Sequence, residues 1–205
     1  MKTASKFAYF DLGNVLIHFD HEIAVRQLSQ VTGATHEEVR TAVFESDAQI
    51  QYETGHISTS EFAQAINESL GSHASEAELV QAASDIFRPN LEVLPVLEML
   101  ALVEIPMAIL SNTCEGHWQW IANQDWPLPG RWFEFAVLSY EVNSMKPDSG
   151  IYDVCEERCR STPTDIFFTD DREENILAAK QRGWTTHVFR NAQGLRSAIE
   201  DWLAN

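Results

Sequence analysis

Basic residues are scarce in this chain: Lys and Arg total 14 against 31 Asp and Glu, a formal net charge of −17 at pH 7. A surface that acidic repels a phosphate backbone, so no nucleic-acid partner is expected. It also repels small phosphorylated molecules, so a site for one needs a local positive centre, which a metal could supply. Long apolar runs are missing too: no segment nears the ~20 residues of a membrane span, and no membrane partner is expected. Residues 1–6 hold no apolar run, and the apolar stretch behind them is broken by Asp11, so no secretory signal is expected. Cysteines number only three, Cys114, Cys155 and Cys159, with no CxxC pair, which fits reduced thiols and a cytoplasmic location. Cys155 and Cys159 stand one helical turn apart and read as small apolar residues on a buried helix face rather than half a metal site. P-loop, HExxH and GxSxG patterns are absent, which removes support for nucleotide hydrolysis by that route, zinc proteolysis and α/β-hydrolase chemistry. There is no internal repeat, low-complexity tract or flexible linker.

What is present is a globular composition, 44% hydrophobic over 205 residues, enough for one core with an appended module. Short β-rich runs at 7–10, 107–110, 135–138, 166–169 and 186–189 read as buried strands. Helical periodicity lies between them, as in Leu94, Leu97 and Leu100, or Ile176, Ala179 and Lys180 stopping at Gly183. The alternation predicts a parallel sheet with helices on both faces. From Asp20 to about Phe87 the strand signal disappears. Capping boxes begin at Thr35/Glu38, Ser58/Glu61 and Ser75/Glu78, with Gly33 and Gly71 where C-terminal caps belong. An all-helical module is therefore expected at 18–87, inserted into a core formed by 1–17 and 88–205.

Carboxylates punctuate the predicted strands. Phe7-Ala8-Tyr9-Phe10 runs straight into Asp11, then Leu12, Gly13, Asn14 and Val15. The run Met107-Ala108-Ile109-Leu110 ends in Ser111, Asn112 and Thr113, groups suited to phosphate oxygens. Lys146-Pro147-Asp148 sets a cation before a helix that Asp148 could cap, and Ile166-Phe167-Phe168-Thr169 ends in Asp170 and Asp171. The carboxyl ends of parallel strands are where open α/β sheets bind ligands.

These four motifs, in this order across nearly the whole chain, resemble the haloacid-dehalogenase-like (HAD) hydrolase superfamily. Asp11-Leu12-Gly13-Asn14-Val15, the 52–58 segment around Gly55 and the closing Phe168-Thr169-Asp170-Asp171 are similar to the branch containing bacterial α-D-glucose-1-phosphate phosphatase. The phosphatase domain of soluble epoxide hydrolase is a more distant likeness. The resemblance implies a Rossmann-like three-layer α/β core with an inserted α-helical cap. It implies a phosphatase acting on a small phosphorylated metabolite through an aspartyl-phosphate on Asp11. It implies Mg²⁺ held by Asp11, the Gly13 carbonyl and Asp171, oxygen donors of the kind a hard ion prefers. Ser111, Asn112 and Lys146 would receive the phosphoryl group, Asp170 would orient the loop or a metal-bound water, and Asn175 would brace Asp171.

Gly13 departs from the family pattern, which places an acid–base aspartate two residues after the nucleophile. General acid–base catalysis is worth about 10²- to 10⁴-fold in rate. Either the leaving group departs unaided, as from an anomeric, acyl or aryl phosphate, or another residue serves, with His18, Asp20 and His56 as candidates. Tyr52, His56 and their neighbours near Gly55 are the first candidates for setting specificity. Two competing readings stay open: 2-haloacid dehalogenation, which needs neither metal nor an acid at position 13, and a non-catalytic protein on the same scaffold. Four tryptophans at positions 118, 120, 126 and 132 read as a helix and loop packed over the sheet edge.

Overall fold

The computed structural model describes residues 6–205; the stretch 1–5, which bears on the secretory expectation, lies outside the described residues. The apolar run after Lys6 forms β1 (Phe7–Phe10), buried throughout. Alternation sends Phe7 and Tyr9 into one hydrophobic core and Ala8 and Phe10 into another, as expected of a central strand covered on both faces. After β2 (Ile17–Phe19) come α1 (His21–Thr32), α2 (His36–Val39), α3 (Asp47–Glu53), α4 (Thr59–Leu70) and α5 (Glu76–Ser84), and then β3 (Phe87–Pro89). The chain continues with α6 (Leu94–Leu102), β4 (Met107–Ser111), α7 (Glu115–Ala122), β5 (Ala136–Leu138) and α8 (Ser139–Val142). It closes with α9 (Ser149–Cys159), β6 (Ile166–Asp170), α10 (Glu173–Gln181), β7 (Thr185–Val188) and α11 (Ala192–Ala204).

The sheet has five parallel strands in the order β5-β4-β1-β6-β7. Helices α6 and α11 pack on one face through Leu97, Leu100, Leu195 and Ile199. On the other face α9 and α10 pack through Ile151, Tyr152, Ile176 and Ala179. The result is the Rossmann-like three-layer fold with a helical cap inserted after the first strand. Cys155 is buried in the second core and Cys159 partly so, as befits packing residues. The four tryptophans lean against the first core, with Trp120 and Trp126 edge to face at 5.5 Å. Among the described residues no helix is long and apolar enough to cross a membrane.

All three capping boxes form, and Gly33 and Gly71 end their helices at φ of +77° and +61°. Three local features differ from expectation. Residues 17–19 and 87–89 pair as an antiparallel ribbon at the entry and exit of the cap, too short for a periodic signal. The helix after Thr35 lasts four residues before a π-helical turn, Arg40–Phe44. Asp148 occupies the N-cap position of α9, but its side chain makes no capping hydrogen bond.

Candidate functional site

Parallel pairing of β1 with β6 sets Phe10 beside Thr169, so the residues that follow each strand emerge side by side. Asp11, Asp170 and Asp171 each offer a carboxylate oxygen, and these oxygens all lie within 4.8 Å of one another. Lys146 reaches in from the loop before α9. Its Nζ donates to Asp11 Oδ1 at 2.7 Å, Asp170 Oδ2 at 2.7 Å and the Leu110 carbonyl at 2.9 Å. An ammonium has three protons, so Lys146 is saturated, and it is fully enclosed. It therefore acts on the cleft through its charge and not through a spare N–H.

The electrostatics follow from burial. Desolvation pushes the Asp11 carboxyl up to about 7; the Lys146 ammonium opposes this and Asp170 adds to it. Burial alone would lower Lys146, but the two carboxylates outweigh it and hold the ammonium above the ordinary lysine value. Three carboxylates facing one ammonium leave an excess of negative charge on hard oxygen donors, a set that fits Mg²⁺.

The remaining strand-end residues sort by what they touch. Asp170 is wholly buried and accepts from Lys146, from the Arg172 backbone N–H and twice from Asn175 Nδ2. So many donors make it the carboxylate least free to turn toward an ion. Asn175 thus braces Asp170 and not Asp171, because its amide lies across both Asp170 oxygens at 3.1 and 3.0 Å. Asp171 is held instead by Asn14 Nδ2 at 3.0 Å. Asn112 spends its side-chain amide on the backbone of Lys146, donating to the carbonyl at 2.8 Å and accepting from the N–H at 2.7 Å. That clamp fixes the Lys146 loop to the end of β4, so the Asn112 side chain is a fastener. Ser111 is buried beside it at the floor of the cleft.

Above these residues lies a cavity of about 230 Å³ lined by Asp11, Gly13, Ser111, Lys146 and Asp171 from the core. The cap and its connections contribute Phe19, His21, Phe44, Gln49 and Glu53, and Phe87, His117 and Arg172 complete the wall. The His21 ring sits 4.9 Å from Phe19 and 4.8 Å from Phe44, and His117 packs edge-on to Phe87 at 5.1 Å. Burial lowers both imidazoles, His117 to about 4, so both stay neutral near pH 7.

None of the four cap-side candidates named from sequence lines this cavity. His18 is exposed, because alternation along β2 turns it away from the side taken by Ile17 and Phe19. Asp20 caps α1, accepting from the Glu22 N–H at 2.9 Å. Tyr52 is buried, its ring stacked on Phe62 at 4.5 Å and its hydroxyl accepting from the Gly116 N–H at 2.8 Å. His56 is exposed and paired with Thr54 through Nδ1. Their near neighbours His21 and Glu53, neither of them singled out by a motif of its own, do line the cavity. The only pointer was position: His21 follows the cap entry, and Glu53 sits inside the segment around Gly55.

Known proteins share this fold. The curated D-ribitol-5-phosphate phosphatase of Bacteroides thetaiotaomicron is 24% identical over 196 residues, covering 93% of this chain and 94% of that protein. A HAD family enzyme from the same organism, solved with magnesium and inorganic phosphate, superposes with a TM-score of 0.79 at 27% identity, covering 91% of this chain and 95% of that one. A HAD-like hydrolase from Porphyromonas gingivalis matches in fold, with a TM-score of 0.83 at 22% identity over 99% of this chain and 100% of that one. The haloacid dehalogenase-like hydrolase family matches residues 6–183, and the chain belongs to that family.

Proposed function

We propose that the chain is a Mg²⁺-dependent phosphatase of a small phosphorylated metabolite, with Asp11 as nucleophile. One observation carries the reading: the Asp11 and Asp171 carboxylates, from neighbouring strand ends, come close enough to share an ion while Lys146 grips Asp11 from the side. The Asp11 oxygen not engaged by Lys146 attacks phosphorus in line and the ester P–O bond breaks, leaving an aspartyl-phosphate that water then hydrolyses. Lys146 offsets the charge of the transferring group, and the Ser111 hydroxyl with the backbone at Asn112 receives its oxygens. Held by Asp11, the Gly13 carbonyl and Asp171, Mg²⁺ would screen the repulsion between a carboxylate and a phosphate dianion. Asp170 and Asn175 form the brace beneath.

The substrate class we favour is a sugar or alditol phosphate, a sugar 1-phosphate among them. The cavity is small, and its upper wall pairs flat rings with the hydrogen-bonding groups of Gln49, Glu53 and His21 from the cap and His117 from α7, a combination suited to a polyhydroxylated chain. The substrate named for the Bacteroides relative is of this kind. Residues 18–87 would act as the lid that sets this preference, over a core of 1–17 and 88–205.

The test is turnover of p-nitrophenyl phosphate and a panel of sugar and alditol phosphates, with Mg²⁺ and after EDTA. Hydrolysis that requires the metal supports the reading. Metal-independent release of halide from a 2-haloacid, without phosphate release, would replace it with dehalogenation.

A further inference from the structure

We propose that Glu53 is the general acid and base that Gly13 cannot supply, an assignment that rests on the phosphatase reading above. A Cβ at Gly13 would fall 2.9 Å from Cε1 of Phe19, so the ring of Phe19 occupies the space where a side chain at position 13 would start. A proton for the leaving oxygen must then arrive from another wall of the cleft.

Glu53 ends α3 and lines the same cavity as Asp11. Its place is fastened to the core on three sides. Ser139, wholly buried, has its Oγ 2.6 Å from the Glu53 carbonyl oxygen while accepting from the Thr113 N–H at 2.9 Å. Thr113 lies two residues beyond Ser111, so this one hydroxyl ties Glu53 to the phosphate-facing end of β4. Asn143 Nδ2 donates to the Thr54 carbonyl at 3.0 Å. Gly55, at φ +71°, brings the turn so close to α8 that a Cβ there would lie 2.0 Å from the Tyr140 carbonyl oxygen. The side chain is positioned as well: Gln49 Nε2, one turn earlier, donates to Glu53 Oε1 at 2.6 Å.

Charge separates Glu53 from the two histidines of the cleft. Burial raises its carboxyl above the ordinary glutamate value, against the pull of Gln49 and Arg172, whereas burial lowers the imidazoles of His21 and His117. The charged or titratable groups acting on it are the Arg172 guanidinium and the Cys114 thiol. In the first step Asp11 bonds to phosphorus, the P–O bond to the leaving group breaks, and the Glu53 proton passes to the departing oxygen. In the second, the Glu53 carboxylate takes a proton from the water that attacks phosphorus. The Asp11–phosphorus bond then breaks, leaving inorganic phosphate, free Asp11 and a reprotonated Glu53.

The experiment compares phenyl phosphate, whose phenol leaving group has a pKa near ~10, with p-nitrophenyl phosphate, whose leaving group is far more acidic. In Glu53→Gln the loss of kcat/KM on phenyl phosphate, which reads the steps up to phosphoryl transfer and not the hydrolysis of the aspartyl-phosphate common to both esters, should be about 10²-fold or more. The loss on p-nitrophenyl phosphate, read on the same sample as proof of an assembled site, should be at least about ten times smaller. Equal losses on the two esters, or no loss on phenyl phosphate, would overturn the assignment. Wild-type protein that hydrolysed neither ester with Mg²⁺ would instead sink the phosphatase reading, and this role with it.

Discussion

Cε1 of Phe19 stands 2.9 Å from the point where a Cβ on Gly13 would be built. Phe19 belongs to the ribbon that leads into the cap, and Gly13 to the turn behind the nucleophile, so the cap entry and the catalytic turn pack into each other. Gly13→Ala should cost about 1–3 kcal/mol through overpacking. Combining it with Phe19→Ala should cost less than the sum of the single changes by about 1 kcal/mol or more, as read from a denaturant double-mutant cycle. Strict additivity would mean that the two positions do not compete for space.

Gly55 is the second close approach. With φ at +71° and the Tyr140 carbonyl oxygen in the path of any Cβ, Gly55→Ala should destabilise by at least about 2 kcal/mol. Activity should fall with it, because Glu53 and Gln49 lose their seat. Urea unfolding and turnover of the variant check both.

Lys146→Met should be among the most damaging single changes. It leaves Asp11 and Asp170 without the ammonium that both contact at 2.7 Å. Stranding buried carboxylates costs about 3–5 kcal/mol. The melting temperature should drop on the order of 10 °C, and turnover should vanish. Calorimetry at pH 7 and a phosphate-release assay read the two effects.

His117 supplies an acid limb to stability. Unfolded, its imidazole takes up a proton below about pH 6.5; folded, burial and the nearby His21 resist protonation until about pH 4. Between those values the unfolded state binds more protons, so stability is full above 6.5 and falls as pH drops toward 4. Allowing for partial exposure, the loss is about 1–2 kcal/mol. His117→Asn should flatten this slope when unfolding free energies at pH 7 and pH 5 are compared.

The core half of the site is legible in the sequence because its signals are local. Asp11 and Asp170 each interrupt an unbroken apolar run, and parallel pairing of two such runs brings their ends together. The cap half depends on relations that sequence does not display. Strand parity decides that Phe19 and not His18 turns toward Gly13. Docking of the Gly55 turn on Tyr140 decides that Glu53 and not Tyr52 or His56 reaches the cleft. Asn175 lies across both oxygens of Asp170, and Asn112 ties its amide to the Lys146 backbone; adjacent residues with similar chemistry can be told apart only once packed.

The central claim is that Asp11 carries the phosphoryl group during turnover. The direct measurement is mass spectrometry of protein quenched in acid while it hydrolyses p-nitrophenyl phosphate with Mg²⁺. A hydroxylamine-labile phosphoryl group on the peptide containing Asp11, absent from Asp11→Asn, is the predicted result. Steady turnover with no phosphoryl group on that peptide, and an Asp11→Asn variant as active as the wild type, would contradict it.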